Sequence, residues 1–279
     1  MKLCFNEATT LENSNLEIDL EYCEKYGYDY IEIRTMDKLP EYLKEHSLDD
    51  LVTFFSNHHI KPLALNALVF FNNRDENGHR KVVAEFREML DIAKKIGAPY
   101  VVAVPLITEE KIFKKDIQTS CVEVLKELSD IATPYGVKIA VEFIGHPECT
   151  VNTFGQCYDI VQLVDRENVG IVLDCFHFHA MGSNLEDLKK AKGEKIFILH
   201  IDDSDDYPIG SLRDEDRVWP GLGSINLHGI LSTLKEIGYS GAVSVELFRP
   251  EYYKLHPDEA IEKAKLTTLD VITKHYNFN

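Results

Sequence analysis

One local pattern recurs four times in this 279-residue chain and restricts its fold more than any other feature. "EKYGYDYIEIR", "KKIGAPYVVAVP", "TPYGVKIAVEF" and "KEIGYSGAVSVEL" share one layout: a polar stretch, a glycine (Gly27, Gly97, Gly136, Gly238), a short spacer and an apolar, β-rich run. A glycine just past a helix takes the left-handed conformation that closes the last turn. The run that follows is almost continuously apolar, as in a parallel strand covered on both faces. Ahead of the glycines the spacing is helical. Phe86, Met89, Leu90, Ala93 and Ile96 recur every three or four residues, as do Cys121, Val124, Leu125, Leu128, Ile131 and Ala132. Capping-box patterns mark two helix starts, Ser14 with Glu17 and Thr153 with Gln156.

Strand candidates begin near Leu3, Tyr30, Pro62, Tyr100, Lys138, Gly170, Ile196 and Ala242, and a helical segment follows most of them. Eight such units in this length predict an α/β chain, a single (β/α)8 TIM barrel over residues 1–279. A doubly wound open sheet is the alternative. It would place a glycine-rich phosphate loop after an early strand, whereas the first run continues into "NEATTLENSN", without a glycine. The longest irregular stretch, residues 202–226, is expected to lie over the C-terminal face of the barrel.

The formal net charge of −17 bears on partners. Displacing counterions from phosphates takes a basic surface, so nucleic acid is disfavoured. Cys4, Cys23, Cys121, Cys149, Cys157 and Cys175 are scattered, with no CxxC pair. They read as reduced thiols of a cytoplasmic protein. No run approaches the ~18 apolar residues of a membrane helix, and the apolar stretch in "MKLCFNEATT" is too short for a signal peptide. No membrane partner is expected.

TIM-barrel active sites lie at the C-terminal ends of the strands. The runs "VKIAVEF", "VGIVLD", "KIFILH" and "GAVSVEL" reach Glu142, Asp174, His200 and Glu246 as their first ionisable residues at that end. Each should point into the barrel mouth. Four independent structural roles are one reading. The other is a divalent metal, because three carboxylates and an imidazole in one cavity repel strongly without a cation. An oxygen-rich set with one nitrogen suits Mn²⁺, Mg²⁺, Co²⁺, Fe²⁺ or Zn²⁺.

Longer strings carry a more specific signal: "MKLCFNEATTLENSNL", "YDYIEIRTMDKLPEYL", "HHIKPLALNALVFFNNRDE", "CTVNTF", "FHFHAMGSN", "DEDRVWPG" and "VSVELFRPEYYKL". With these the chain resembles, end to end, the xylose-isomerase-like barrels, a superfamily of sugar epimerases, sugar isomerases and metal-dependent abasic-site endonucleases. The resemblance implies one divalent metal ion on Glu142, Asp174, His200 and Glu246. It also implies a small-molecule polyol ketone as substrate, 2-keto-myo-inositol, converted to 1-keto-D-chiro-inositol. An open-chain ketose 3-epimerase using the same site is the alternative. A non-catalytic binding protein is disfavoured, since a passive site need not keep facing carboxylates at Glu142 and Glu246. The endonuclease branch needs histidines at the ends of strands three and four, where this chain has Asn66-Ala67 and Val104-Pro105. It also needs an Asp-x-His pair where this chain has Arg217 and Trp219.

Moving a ketone to the adjacent carbon removes one α-proton and returns another. Glu142 and Glu246, from strands five and eight, are expected to be ligands and also proton carriers, and Asp174 and His200 ligands alone. Glu148 is a rival acid/base, or an exposed loop carboxylate. His177 matches a histidine that the endonucleases give to an additional metal. Without that site's other ligands it is expected to hydrogen-bond the substrate, and His179 to be structural. Arg217 is expected to hold a substrate oxygen, or else to form a salt bridge with its acidic neighbours. Trp219 is expected to pack on the ring of the substrate or to anchor its own loop. Glu32 and Arg34 are expected to pair with each other. Asp202 and Asp203 would orient His200 or be solvated, and Tyr252 and Tyr253 would cover the rim. The oligomeric state is open.

Overall fold

The computed structural model describes residues 1–276. Eight parallel strands close a barrel: β1 (Lys2–Asn6), β2 (Tyr30–Arg34), β3 (Lys61–Val69), β4 (Tyr100–Val104), β5 (Lys138–Glu142), β6 (Val169–Asp174), β7 (Ile196–Ile201) and β8 (Ala242–Val245). Their order around the barrel is that of the chain, closed by pairing of β8 with β1. Each strand begins within one residue of its expected position. Gly27, Gly97, Gly136 and Gly238 all have φ between +67° and +86°. The four repeated motifs are thus four copies of one stop: the helix ends, the chain turns through a left-handed residue, and a new strand starts within four residues.

The helix Glu76–Ile96 buries Phe86, Met89, Leu90, Ala93 and Ile96, as its spacing requires. In Lys114–Ala132 the buried stripe takes in Ser129 and leaves Ile131 half-buried. The caps depart from expectation. The helix Leu16–Lys25 is capped by Asn15, whose side chain accepts from the Ile18 N–H, not by Ser14. A cap oxygen must reach the N–H three residues on, and Ser14 sits one residue too early. Thr153 does cap Phe154–Val164, but Gln156 turns its carbonyl to the Asn152 N–H, so the box does not close.

Two further expectations change. Strand β3 runs on to Val69, so Asn66 and Ala67 lie inside it. Residues 202–226 are not irregular throughout: Asp203–Ser204 pairs antiparallel with Arg217–Val218. That short ladder pins the far end of the loop beside the end of β7.

Strand side chains alternate inward and outward. Cys4, Val102, Ala140, Val172, Ile198 and Ala242 belong to an apolar cluster that fills the barrel. One or two steps further along the same inward faces stand Asn6, Glu32, Glu142, Asp174, His200 and Glu246, all buried. A larger apolar layer lies between barrel and helices, each fully buried side chain contributing about 1.5–3 kcal/mol. The plug closes one end, so polar chemistry collects at the other. All six cysteines are free and buried. Among the described residues no helix is long and apolar enough to cross a membrane.

Candidate metal centre

Glu142, Asp174 and His200 lie at or near the C-terminal ends of β5, β6 and β7, and Glu246 one residue past β8. The barrel register sets Asp174 directly beside His200. One ligand atom from each of the four residues lies within 4.8 Å of the others. His200 Nδ1 is 3.0 Å from Glu142 Oε1, 3.1 Å from Glu246 Oε2 and 3.7 Å from Asp174 Oδ2. Yet among the described residues neither His200 Nδ1 nor Glu142 Oε1 has a hydrogen-bond partner, although both are buried. The other imidazole nitrogen, Nε2, is 2.9 Å from Glu32 Oε1. With its proton on Nε2, His200 aims a lone pair at carboxylate lone pairs. Such an arrangement calls for a cation at the common focus. A tetrahedral zinc with ligands ~2.0–2.1 Å away would set them about 3.4 Å apart. The donor set and its spacing therefore fit a divalent ion.

Without metal, protons take the place of the cation. Burial pushes the Glu142 carboxyl up to about 7; His200 opposes this, and Glu246 and Asp174 add to it. Burial works against charge on His200, but Glu32, Glu246 and Glu142 raise it well above the usual imidazole value. Burial would raise Asp174 as well; Arg217, His177 and His200 instead hold it well below the carboxylate range.

Arg217 is the second cation of the site. Its guanidinium is fully buried, with Phe176 and Phe248 at 4.8 and 5.3 Å. Nη1 donates to Asp174 Oδ2 at 2.7 Å and Asp202 Oδ2 at 2.6 Å, and lies 3.4 Å from Glu246 Oε2. Nε and Nη2 donate to Asp214 Oδ1. The expected loop salt bridge, to Asp214, is present, and the same guanidinium also reaches Asp174 and Asp202. Arg217 Nη2 also lies 3.1 Å from His177 Nε2. Guanidinium can only donate, so His177 accepts there and carries its proton on Nδ1. That Nδ1 is buried and has no partner among the described residues. Burial holds His177 below its usual value; Asp174 opposes and Arg217 reinforces this. His177 is thus a neutral donor beside the cluster. Its backbone N–H caps Asp174 Oδ1 at 2.6 Å, because the helix Cys175–Ala180 starts as β6 ends.

The remaining candidates scatter. Trp219 is buried and stacks on Tyr252 at 4.3 Å, with Lys263 Nζ 5.6 Å from its ring, so its contacts anchor the loop. Tyr253 reaches across the rim to the Ala8 carbonyl. Glu148 is exposed and His179 half-buried. Glu32 and Arg34 do not pair: Glu32 meets His200, and Arg34 forms a bidentate pair with Asp37 at 3.0 and 2.7 Å. Nor do Asp202 and Asp203 orient His200. Asp202 pairs with Arg217, while Asp203 accepts the Ser204, Gly221 and Ile225 N–H groups and ties the loop together. The acceptor behind His200 comes from across the barrel, from β2. Sequence reasoning missed this role of Glu32, and missed Asn6, which donates to Glu246 Oε1 at 2.8 Å. Alternation held the signal: Glu32 shares the inward face with Tyr30, and Asn6 with Cys4.

A closed (β/α)8 barrel with a four-residue cluster suited to one metal at its C-terminal mouth defines a class of enzymes. The model of the xylose isomerase-like TIM barrel matches residues 20–269, and the chain belongs to that family. The chain is 72% identical over 276 residues to an inosose isomerase of Bacillus licheniformis, covering 99% of each. It is 70% identical over 277 residues to an inosose isomerase of Bacillus subtilis, covering 99% of this chain and all of that one. A crystal structure of the IOLI protein with a binding zinc atom matches with a TM-score of 0.99 and 70% identity over the whole of both chains. The protein is an isomerase, and its relatives place it among the inosose isomerases.

Proposed function

We propose that the protein interconverts 2-keto-myo-inositol and 1-keto-D-chiro-inositol by proton transfer through an enediolate, using one divalent metal ion. The observation that carries this is the convergence of His200 Nδ1 and Glu142 Oε1, buried and unpartnered, with Asp174 and Glu246 at the barrel mouth. The inosose isomerase relatives support the choice of substrate. Glu142, Asp174, His200 and Glu246 would hold the metal, with zinc, manganese, cobalt or magnesium admitted by the donor set. When bound, such an ion polarises the ketone and offsets the charge that develops on its oxygen.

The chain's own groups carry the protons. Glu142 and Glu246 approach from β5 and β8, one to take the α-proton and the other to return one to the former carbonyl carbon. They are held differently. Asn6 occupies Glu246 Oε1, whereas Glu142 Oε1 has no hydrogen bond, which leaves Glu142 the freer of the two. His177 donates from Nδ1 to a substrate oxygen. Arg217 keeps His177 in that tautomer and lends positive charge to an oxygen-rich intermediate. Trp219 contributes through its loop, by holding Arg217 in place two residues earlier. Buried free thiols suit a reducing cytoplasm, where we place the enzyme.

The test is to load the protein with a divalent metal and incubate it with 2-keto-myo-inositol in D₂O, following the product by NMR. A new ketone with deuterium at the exchanged carbon is expected. Turnover of a ketohexose with none of inososes would overturn the assignment.

A further inference from the structure

Glu32 is fully buried, yet its strand β2 supplies no ligand. Among the described residues His200 is its one ion-pair partner, at 2.9 Å. The guanidinium nearest in sequence, Arg34, is taken by Asp37. Burying a carboxylate costs several kcal/mol, and His200 is the charge partner that offsets it here. Asn66 of β3 lies 3.4 Å from its second oxygen and holds it from behind.

We propose that Glu32 is a positioning residue for the metal: it holds His200 with the proton on Nε2 and the Nδ1 lone pair turned to the focus shared with Glu142, Asp174 and Glu246. The proposal rests on reading that cluster as a metal site. A neutral imidazole has one donor nitrogen and one acceptor nitrogen, and only the acceptor binds a metal. With the proton on Nδ1, His200 would instead aim an N–H at Glu142 Oε1, 3.0 Å away, and at Glu246 Oε2, 3.1 Å away. That arrangement would satisfy the carboxylates and exclude the ion. It would also set the Nε2 lone pair against Glu32 Oε1. An ionised carboxylate has no proton to offer, so it selects the other tautomer. A ring flip would turn Cε1 to Glu32 and Cδ2 to the focus, losing both the hydrogen bond and the ligand.

The test uses metal-free protein and needs no substrate. Zinc affinity is measured by competition with a chromophoric chelator, and ligand geometry by the visible spectrum of the cobalt(II) form. Glu32→Ala should weaken zinc binding about 10–100-fold and alter the cobalt spectrum. Glu32→Gln keeps an acceptor for the Nε2 proton and should recover part of the affinity and the native spectrum. Asp19→Asn, which strips a buried carboxylate outside the cluster of its charge, is the control: lower thermal stability with zinc affinity within about twofold of the native protein. Equal affinity and an unchanged spectrum for Glu32→Ala would overturn the proposal, as would equal losses in Glu32→Ala and Asp19→Asn. Should Glu32→Ala fail to fold, ¹⁵N NMR of the native zinc form decides. Ligation at Nδ1 with the proton on Nε2 is expected; the reverse pattern overturns it. A native protein that takes up no stoichiometric metal would sink the metal reading itself, a different result from native-like binding by Glu32→Ala.

Discussion

Strands β5, β6 and β7 end at or beside Glu142, Asp174 and His200, and Glu246 follows β8. Strands β1 to β4 end in Asn6, Arg34, Val69 and Val104. Both halves of the barrel bury charge, but they balance it differently. In the first half, Asp19 sits 2.6 Å from Lys38 Nζ and accepts from Thr10, and Lys38 also donates to the Thr10 carbonyl. That network contains its own cation. In the second half, Glu142, Asp174, Asp202 and Glu246, with Glu32 reaching in, share Arg217 and His200 as their ion-pair partners among the described residues. The difference separates a structural ion pair from a site built to receive a cation. The first half also serves the second: Asn6 and Glu32 come from strands without ligands and hold Glu246 and His200.

The sharpest way to break this contrast is at the carboxylates of the second half. Glu142→Gln and Glu246→Gln should each lower turnover by about 10²–10⁴-fold in steady-state assays, and chelation of the native enzyme should remove activity that added divalent metal restores. Near-normal activity in either variant would end the two-carboxylate scheme. Lys38→Ala attacks the other network. Leaving Asp19 buried without a cation should cost about 3–5 kcal/mol in denaturant unfolding, with zinc affinity unchanged. Loss of affinity there would show that the two networks are not separate.

A third prediction concerns pH. In the metal-free protein Glu142 is raised to about 7 and His200 well above its usual value. At Glu142 the native state therefore binds more protons than the unfolded state between about 4.5 and 7, and at His200 from about 6.5 upward, so stability falls as pH rises through both windows. Metal must displace those protons, so binding should weaken as pH falls and should release protons. Thermal unfolding with and without metal checks the first statement, and calorimetry in buffers of different ionisation enthalpy the second. The smallest effect is expected at the support. Asn6→Ala removes one hydrogen bond to a charged group, and zinc affinity should fall roughly tenfold, less than turnover falls in Glu246→Gln.

The frame of this barrel is legible along the chain. Helix stops, strand starts and inward positions follow from glycine conformation and from periods of 3.6 and 2, which involve only near neighbours. The cap at Asn15 rather than Ser14 shows the resolution of such reading: one residue, because the acceptor must reach one particular N–H. Proximity in sequence misled more seriously at Glu32 and Arg34. They sit two apart on one face, yet each found a better partner elsewhere, His200 across the barrel and Asp37 in the next helix cap.

The sequence alone determined the barrel and the four strand-end residues, since a strand's end and its inward face are local properties. Only the tertiary structure decided what stands behind those residues. Pairing of β8 with β1 sets Phe5 against Val245 and so brings Asn6 beside Glu246. Closure of the barrel carries Glu32 to His200. The two-residue ladder of Asp203–Ser204 with Arg217–Val218 draws Arg217 into the mouth beside Asp174 and His177. The side-chain contacts that result, Asn6 with Glu246, Glu32 with His200 and Arg217 with Asp174 and His177, each join residues 40 or more positions apart in the chain. No periodicity within one segment encodes them; they exist because the sheet closes on itself.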